Sequence, residues 1–459
     1  MKQSSSSFGP LPPAPPPRGP RRLSHEDILR AEDRRKVQKE RSARRRFLLA
    51  WLLTGPGVLV MLGENDGPSM VSYATTGATY GVGFFVPFIL LTFLMAFAVQ
   101  EMTVRLGAAT HRGHAELIFE RFGPFWGWFS MTDLVFGNLL TLVTEFIAIQ
   151  AGGLYFGVPP LVSVALGVAV IVASLAFRRY ATWERTVMAL AAFNLLFVPA
   201  ALFAHPDGAA LVRAIGTWGP LKGGVNMAFV TLVMANIGAT VTPWMIFFQQ
   251  SAVVDKGLTT KDLGEGRFDT ALGAVLAAIA AIATVVASAP LLANNVDVSK
   301  FVSGADFATA LEPHLGSVGA TLFALGMIEA GLVAAMTIST SSAYALGESA
   351  RKRHSLNLDF SQGWMFYGGA IASTTLAAAV VLIPGAPLLA MTLTVNVIAT
   401  LLMAPALLLL LLLVNDREIM GAHANTWRGN IVGGTIIGAL VLVGAAYGVT
   451  TVFPGLLGQ

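Results

Sequence analysis

The sequence predicts an all-α polytopic membrane protein of about eleven transmembrane helices, an inverted repeat of helices 1–5 and 6–10 with breaks in helices 1 and 6. Three observations carry that prediction. Of the 459 residues, 54% are hydrophobic and only 12% are charged, with a mean hydropathy of +0.66; a soluble domain carries about 25% charged residues. Apolar stretches long enough to cross a bilayer recur along the chain. Two of them are interrupted by polar and helix-breaking residues, and those two lie five spans apart. Five is odd, so the broken spans cross in opposite directions, as an inverted repeat requires.

Residues 1–46 are read as a disordered, basic, Pro/Ser-rich cytoplasmic tail, with a short helix expected around 26–41. The tail holds too few apolar residues to fold alone. Its closing run, Arg41-Ser42-Ala43-Arg44-Arg45-Arg46, abuts the first span, so anionic lipid is its expected partner and nucleic acid is not. Residues 47–459 are expected to form the transmembrane domain. A span takes roughly 20 apolar residues, which places the helices at 49–75, 82–107, 124–152, 159–177, 186–204, 224–252, 270–293, 318–346, 364–383, 388–413 and 430–452. Fourteen Lys and Arg residues fall in loops on the tail's side of that layout and three, Arg213, Lys222 and Lys300, on the other. The bias puts the N-terminus in the cytoplasm and the C-terminus outside a cell membrane.

Span 1 carries Gly63-Glu64-Asn65-Asp66-Gly67-Pro68-Ser69-Met70 at its centre. Irregular backbone is tolerated at that depth only where it lines a cavity or is buried in protein, and a carboxylate there marks function. Span 6 carries Ala235-Asn236-Ile237-Gly238-Ala239-Thr240-Val241-Thr242-Pro243-Trp244, in which the proline removes a backbone donor. The two breaks offer carboxylate, hydroxyl and carbonyl oxygens, with no thiolate or imidazole and no thioether apart from Met70 at the end of the first. Hard oxygen ligands suit Mg²⁺ or Ca²⁺, and Glu64 with Asp66 would fit a Mg²⁺ ion that keeps several waters.

Gly55-Pro56-Gly57, the Asp66 segment, Gly77-Ala78-Thr79-Tyr80-Gly81, Gln100 and Arg105-Leu106-Gly107 resemble the start of the Nramp family of divalent-metal transporters. Gly238–Pro243 is similar to that family's sixth helix and Asn415–Gly421 to the end of its tenth. The resemblance implies a LeuT-like fold and places family ligands on Asp66, Ser69 and Thr242, with carbonyl ligands on Gly63 and Ala239. Two departures stand out. The family's Asp-Pro-Gly-Asn reads Asp66-Gly67-Pro68-Ser69 here, and its Met-Pro-His reads Thr242-Pro243-Trp244. The metal-selecting thioether is thus a hydroxyl, and the histidine tied to proton movement is an indole. This pattern resembles the Nramp-related magnesium transporters, which implies Mg²⁺ uptake without obligatory proton coupling. The alternative is a proton-coupled Mn²⁺/Fe²⁺ carrier of the ordinary kind.

Glu64 and Asn65 replace residues ordinarily uncharged in the family and join the candidate ligands by inference. Glu145 in span 3 is either a cavity or relay carboxylate or a structural acid; Glu329 in span 8 and Asn396 in span 10 are further cavity candidates. Asp133 fits no family position. Glu101 and Arg105 have the spacing of an i,i+4 pair. The histidines, His114 among them, are placed in tails or loops, and none is taken as a ligand. Trp183, Trp218 and Trp427 read as interface anchors. Cys is absent, which excludes disulfides and thiolate metal sites. No nucleophile with a positioned base appears, so the chain is not read as an enzyme. A carrier of small organic substrates would want apolar contacts where two acids stand. No cofactor is expected, and a monomer is.

Overall fold

The computed structural model describes residues 25–43, 45–219, 221 and 224–453. In chain order its helices are α1 (His25–Ser42), α2 (Arg46–Leu53), α3 (Pro56–Glu64), α4 (Gly67–Tyr80), α5 (Phe85–Thr110), α6 (His114–Tyr155), α7 (Pro160–Leu175) and α8 (Tyr180–Ala191). A 3₁₀ turn (Ala192–Leu196) joins α8 to α9 (Phe197–Phe203), followed by α10 (Gly208–Thr217), α11 (Met227–Gly238) and α12 (Pro243–Lys256). Then come α13 (Leu263–Ala293), α14 (Gly304–Ser349), α15 (Trp364–Val381), α16 (Leu388–Asn415), α17 (Arg417–Met420) and α18 (Trp427–Val452). Among the described residues, nine helical stretches are long and apolar enough to cross a membrane. The half-helices α3 and α4 and the shorter apolar α7 complete the eleven expected spans.

Both breaks fall where the polar residues demand. Residues 65–66 separate α3 from α4, and residues 239–242 separate α11 from α12. Each second half starts with proline in its first turn, where the missing N–H costs nothing. The repeat shows in a second feature. Spans 3 and 8 each begin with a short arm that turns into the long helix at a left-handed glycine, Gly123 (φ 82°) in α6 and Gly316 (φ 71°) in α14. Open space surrounds both positions, so backbone conformation alone reserves them for glycine. The arms extend the spans expected at 124–152 and 318–346. Beyond the elbows α6 and α14 pack along each other, and at Gly331 a Cβ would press on the Glu145 carbonyl oxygen (2.7 Å). Close backbone approach of this kind is how membrane helices associate. α18 is peripheral and buries only Gly433, Ile436, Leu440 and Thr450.

The first span needs correction. It runs from residue 56, not 49, because α2 stops at Leu53 and Pro56 starts a new helix. The amides at the start of α3 are satisfied from another span: the Asp269 carboxylate accepts from the capping residue Gly55 N (2.9 Å), Gly57 N (2.7 Å) and Val58 N (3.2 Å). Asp269→Ala would strand buried donors at a helix start. A loss of roughly 3 kcal/mol is expected, read as a thermal midpoint in detergent several degrees lower; an unchanged midpoint would deny Asp269 this role.

Residues 1–24 of the tail lie outside the described residues, and the short helix expected around 26–41 is present as α1, at 25–42. Glu, Lys and Arg, all good helix formers, make up half of that stretch. Arg41 pairs with Asp262 (2.5 Å) and Asp33 with Arg179 (3.0 Å), which dock α1 on the bundle end where Arg179, Arg185, Lys256 and Lys261 cluster. Trp183 is no interface anchor. It is fully buried, 6.1 Å from the Phe248 ring, because α8 turns that face to α12. Trp218 and Trp427 are exposed. His114 is not in a loop but buried at the start of α6, its Nδ1 2.8 Å from Gln250 Oε1. The Glu101–Arg105 pair forms at 3.2 Å.

Candidate metal-transport site

The site is assembled by the two breaks. Asp66 caps α4, its Oδ1 accepting from Ser69 N at 2.8 Å, and Glu145 reaches the same helix start from α6, its Oε2 accepting from Gly67 N at 2.9 Å. Two carboxyl groups thus share one helix N-terminus, where backbone N–H groups and the helix dipole favour negative charge. Gly67 makes this approach feasible, since a Cβ there would collide with that of Ala148 on α6. Across the cavity, Thr242 Oγ1 donates to Glu64 Oε2 at 2.8 Å, tying the second break to the first. The Trp244 indole packs against Gly63 and reaches the Glu64 carboxyl. Gly63 sits in the last turn of α3, where carbonyls have no following helical amide.

Asn65 turns its amide nitrogen the other way, to Asn194 Oδ1 (3.0 Å) and the Ala277 carbonyl (2.7 Å). Asn194 returns the contact, donating to the Asn65 carbonyl (3.0 Å) and to Glu329 Oε2 (3.4 Å). Glu329 therefore reaches the break through Asn194. Asn396 lies a turn along, donating to Ser72 Oγ at 2.9 Å. The Ala239 carbonyl accepts from the Tyr73 hydroxyl at 2.8 Å, so one of its lone pairs is already used. Asp133 stands twelve residues before Glu145 on α6, about 18 Å along the helix at 1.5 Å per residue, and so lies outside the site.

Glu64, Asp66, Ser69 and Thr242 are all buried, which describes an occluded site. Within it Glu64 Oε1, Asn65 Oδ1, Ser69 Oγ, Glu145 Oε1 and Glu329 Oε1 are buried without a hydrogen-bond partner. Natural proteins seldom leave so many oxygens unmatched, and this set is acceptor-rich, as a cation requires. No three His, Asp or Glu side chains among the described residues converge as metal ligands. A bound cation would draw on hydroxyls, carbonyls or water besides the carboxylates. Met70, the one sulfur in the first break, is engaged by the Thr284 hydroxyl (3.2 Å). Asn194 escaped the sequence reading, although a lone Asn amid Ala192-Phe193 and Leu195-Leu196 is a mid-span polar residue of the kind that marks such sites.

Eleven spans with two antiparallel broken helices around buried oxygens define a secondary transporter of the inverted-repeat class. Comparison with known proteins supplies the family. Residues 57–450 match the Nramp family, described as natural resistance-associated macrophage protein-like. A divalent metal cation transporter MntH of Yersinia pestis (strain Pestoides F) is 28% identical over 310 residues, 65% of this chain and 72% of that protein. One of Erwinia tasmaniensis is 28% identical over 306 residues, 64% and 71% of the two chains. Among solved structures, the Eremococcus coleocola manganese transporter superposes with a TM-score of 0.70 at 18% identity, covering 87% of this chain and 86% of that one. MhsT in complex with L-phenylalanine superposes at 0.57 with 14% identity, covering 85% and 98%. These likenesses show a LeuT-like fold. The chain belongs to the Nramp family and is a multi-pass transporter of divalent metal cations.

Proposed function

We propose that this transporter carries Mg²⁺ into the cell by alternating access, without obligatory proton coupling. The observation that supports the reading is the donor set. Asp66, Glu64, Ser69 and Thr242 present oxygen alone, and positions 242 and 244 hold a hydroxyl and an indole. Without a sulfur to disfavour it, a hard ion that keeps part of its hydration shell is admitted. In this reading Mg²⁺ enters from outside, neutralises Asp66, and rocking of one helix group against the other opens the inner path. The membrane potential supplies drive, about 2.3 kcal/mol per charge per 100 mV. The N-terminus faces the cytoplasm and the protein resides in the cell membrane, as the distribution of Lys and Arg suggests.

The relatives weigh toward a second reading, proton-coupled Mn²⁺ transport, since those that match are described as divalent metal cation transporters MntH and a manganese transporter. Glu145, against Asp66 and with one free oxygen, would then be the proton group to test. One experiment separates the two: flux into proteoliposomes holding both a Mg²⁺-sensitive and a pH-sensitive dye. The expected outcome is Mg²⁺ entry without acidification. Mn²⁺ entry with acidification and no Mg²⁺ flux would establish the second reading instead.

A further inference from the structure

A cavity of about 640 Å³ opens between α1, the start of α8 and the turn that follows α12. That is within the roughly 300–1,000 Å³ typical of small-molecule sites. Seven basic and four acidic side chains line it. The acids are already engaged. Asp33 pairs with Arg179 (3.0 Å), Glu184 with Lys256 (2.7 Å) and Asp262 with Arg41 (2.5 Å). Asp255 accepts from the Tyr344 hydroxyl (2.6 Å), Ser355 Oγ (2.8 Å) and Leu356 N (3.2 Å). Arg34, Arg185 and Lys261 make no ion pair among the described residues. Arg185 Nη2 donates to the Trp51 and Leu52 carbonyls (2.5 and 3.4 Å) and Nη1 meets the Met188 sulfur (3.8 Å), so no carboxylate opposes its charge. The cavity thus carries three uncompensated cations on separate elements, with Val37, Leu52 and Leu53 as an apolar floor.

We propose that this cavity binds a phosphate-bearing anion, either a soluble phosphate compound or a lipid headgroup. A phosphate monoester carries about two negative charges at neutral pH and a pyrophosphate more, which matches the surplus. Arginine guanidinium groups present planar donors suited to phosphate oxygens, and a half-enclosed cavity concentrates the field of like charges. Carboxylate metabolites of single charge would leave most of the surplus unmet. The anion would bridge Arg34 of α1 to Arg185 of α8. Because Arg185 also holds the backbone leading into α3, the bound anion clips α1 across the inner end of the broken span.

The test uses the full chain in neutral detergent without divalent cations, titrated calorimetrically with sodium pyrophosphate. In parallel, native mass spectrometry follows lipid retained from bilayers of phosphatidic acid, whose headgroup is a phosphate monoester, and phosphatidylcholine. The variants are Arg34→Glu and Lys261→Glu, both exposed and remote from the transport site. Saturable pyrophosphate binding that weakens at least about tenfold in each variant, some 1.4 kcal/mol, and that declines with salt, is expected for a soluble ligand. Retention of one phosphatidic acid by the parent protein, lost in both variants, with no pyrophosphate binding, assigns the cavity to a lipid headgroup. Binding of neither, or binding indifferent to both charge reversals, overturns the proposal. No ion flux enters these measurements, so they stand or fall apart from the choice of cargo.

Discussion

Asp66→Asn should stop metal uptake while leaving the protein folded. Asp66 does two jobs that this substitution separates. Its Oδ1 caps α4 by accepting from Ser69 N, and asparagine is as good a cap as aspartate, so the half-helix keeps its start. What asparagine lacks is the charge, in a buried site where attraction to a divalent ion is weakly screened. The initial rate of divalent-ion entry into proteoliposomes should fall at least about a hundredfold, a barrier or affinity change near 2.7 kcal/mol, with an unfolding midpoint close to that of the parent. Asp66→Ala loses cap and charge together and should lower both flux and midpoint, a cap being worth about 1 kcal/mol. Wild-type flux through the asparagine variant would remove Asp66 from the site. The outcome does not depend on which divalent ion is carried.

The breaks were legible because polar residues in mid-span have so few structural excuses. Glu64 through Ser69 and Gly238 through Pro243 predicted where the helices part, and the odd spacing predicted their antiparallel relation. What stayed hidden was direction. Sequence placed Asn65 among the candidate ligands but could not show that its amide nitrogen turns to Asn194 and Ala277 while its Oδ1 stays unpartnered, because which way a side chain leaves an unwound segment is set by the helices packed around it. Ala239 was legible as a free carbonyl but not as the acceptor of Tyr73, a residue 166 positions away. Gly123 and Gly316 gave no sign of being elbows, since a glycine in an apolar membrane helix is ordinary and the left-handed turn shows only in the backbone. Trp183 and His114 were misplaced for one reason: a position near a span end says nothing about which face of the helix meets the bundle. The tail's helix was legible at 26–41 but its docking was not, since Asp33 meets Arg179 and Arg41 meets Asp262 only once the bundle has folded.

Thr242→Met should move ion preference from Mg²⁺ toward Mn²⁺. Two effects act together. The substitution introduces a thioether at the break, which a hard ion gains nothing from and a softer ion tolerates. It also deletes the hydroxyl that donates to Glu64 Oε2, leaving that carboxylate with both oxygens unmatched, since Oε1 has no partner already. Losing a donor to a buried acceptor costs about 1–3 kcal/mol, which would weaken the occluded state for every cargo and lower uptake generally. The ratio of Mn²⁺ to Mg²⁺ uptake isolates the sulfur from that general loss. It should rise about tenfold, or 1.4 kcal/mol, in competition assays on proteoliposomes. Thr242→Val is the matched control, because it removes the hydroxyl without adding sulfur and should reduce both fluxes at a constant ratio. If valine shifts the ratio as far as methionine does, selectivity belongs to the Thr242–Glu64 hydrogen bond, which holds the acid in one orientation. A methionine variant with an unchanged ratio would show that position 242 does not select the ion, and the choice between Mg²⁺ and Mn²⁺ would then rest on Asp66, Glu64 and Glu145.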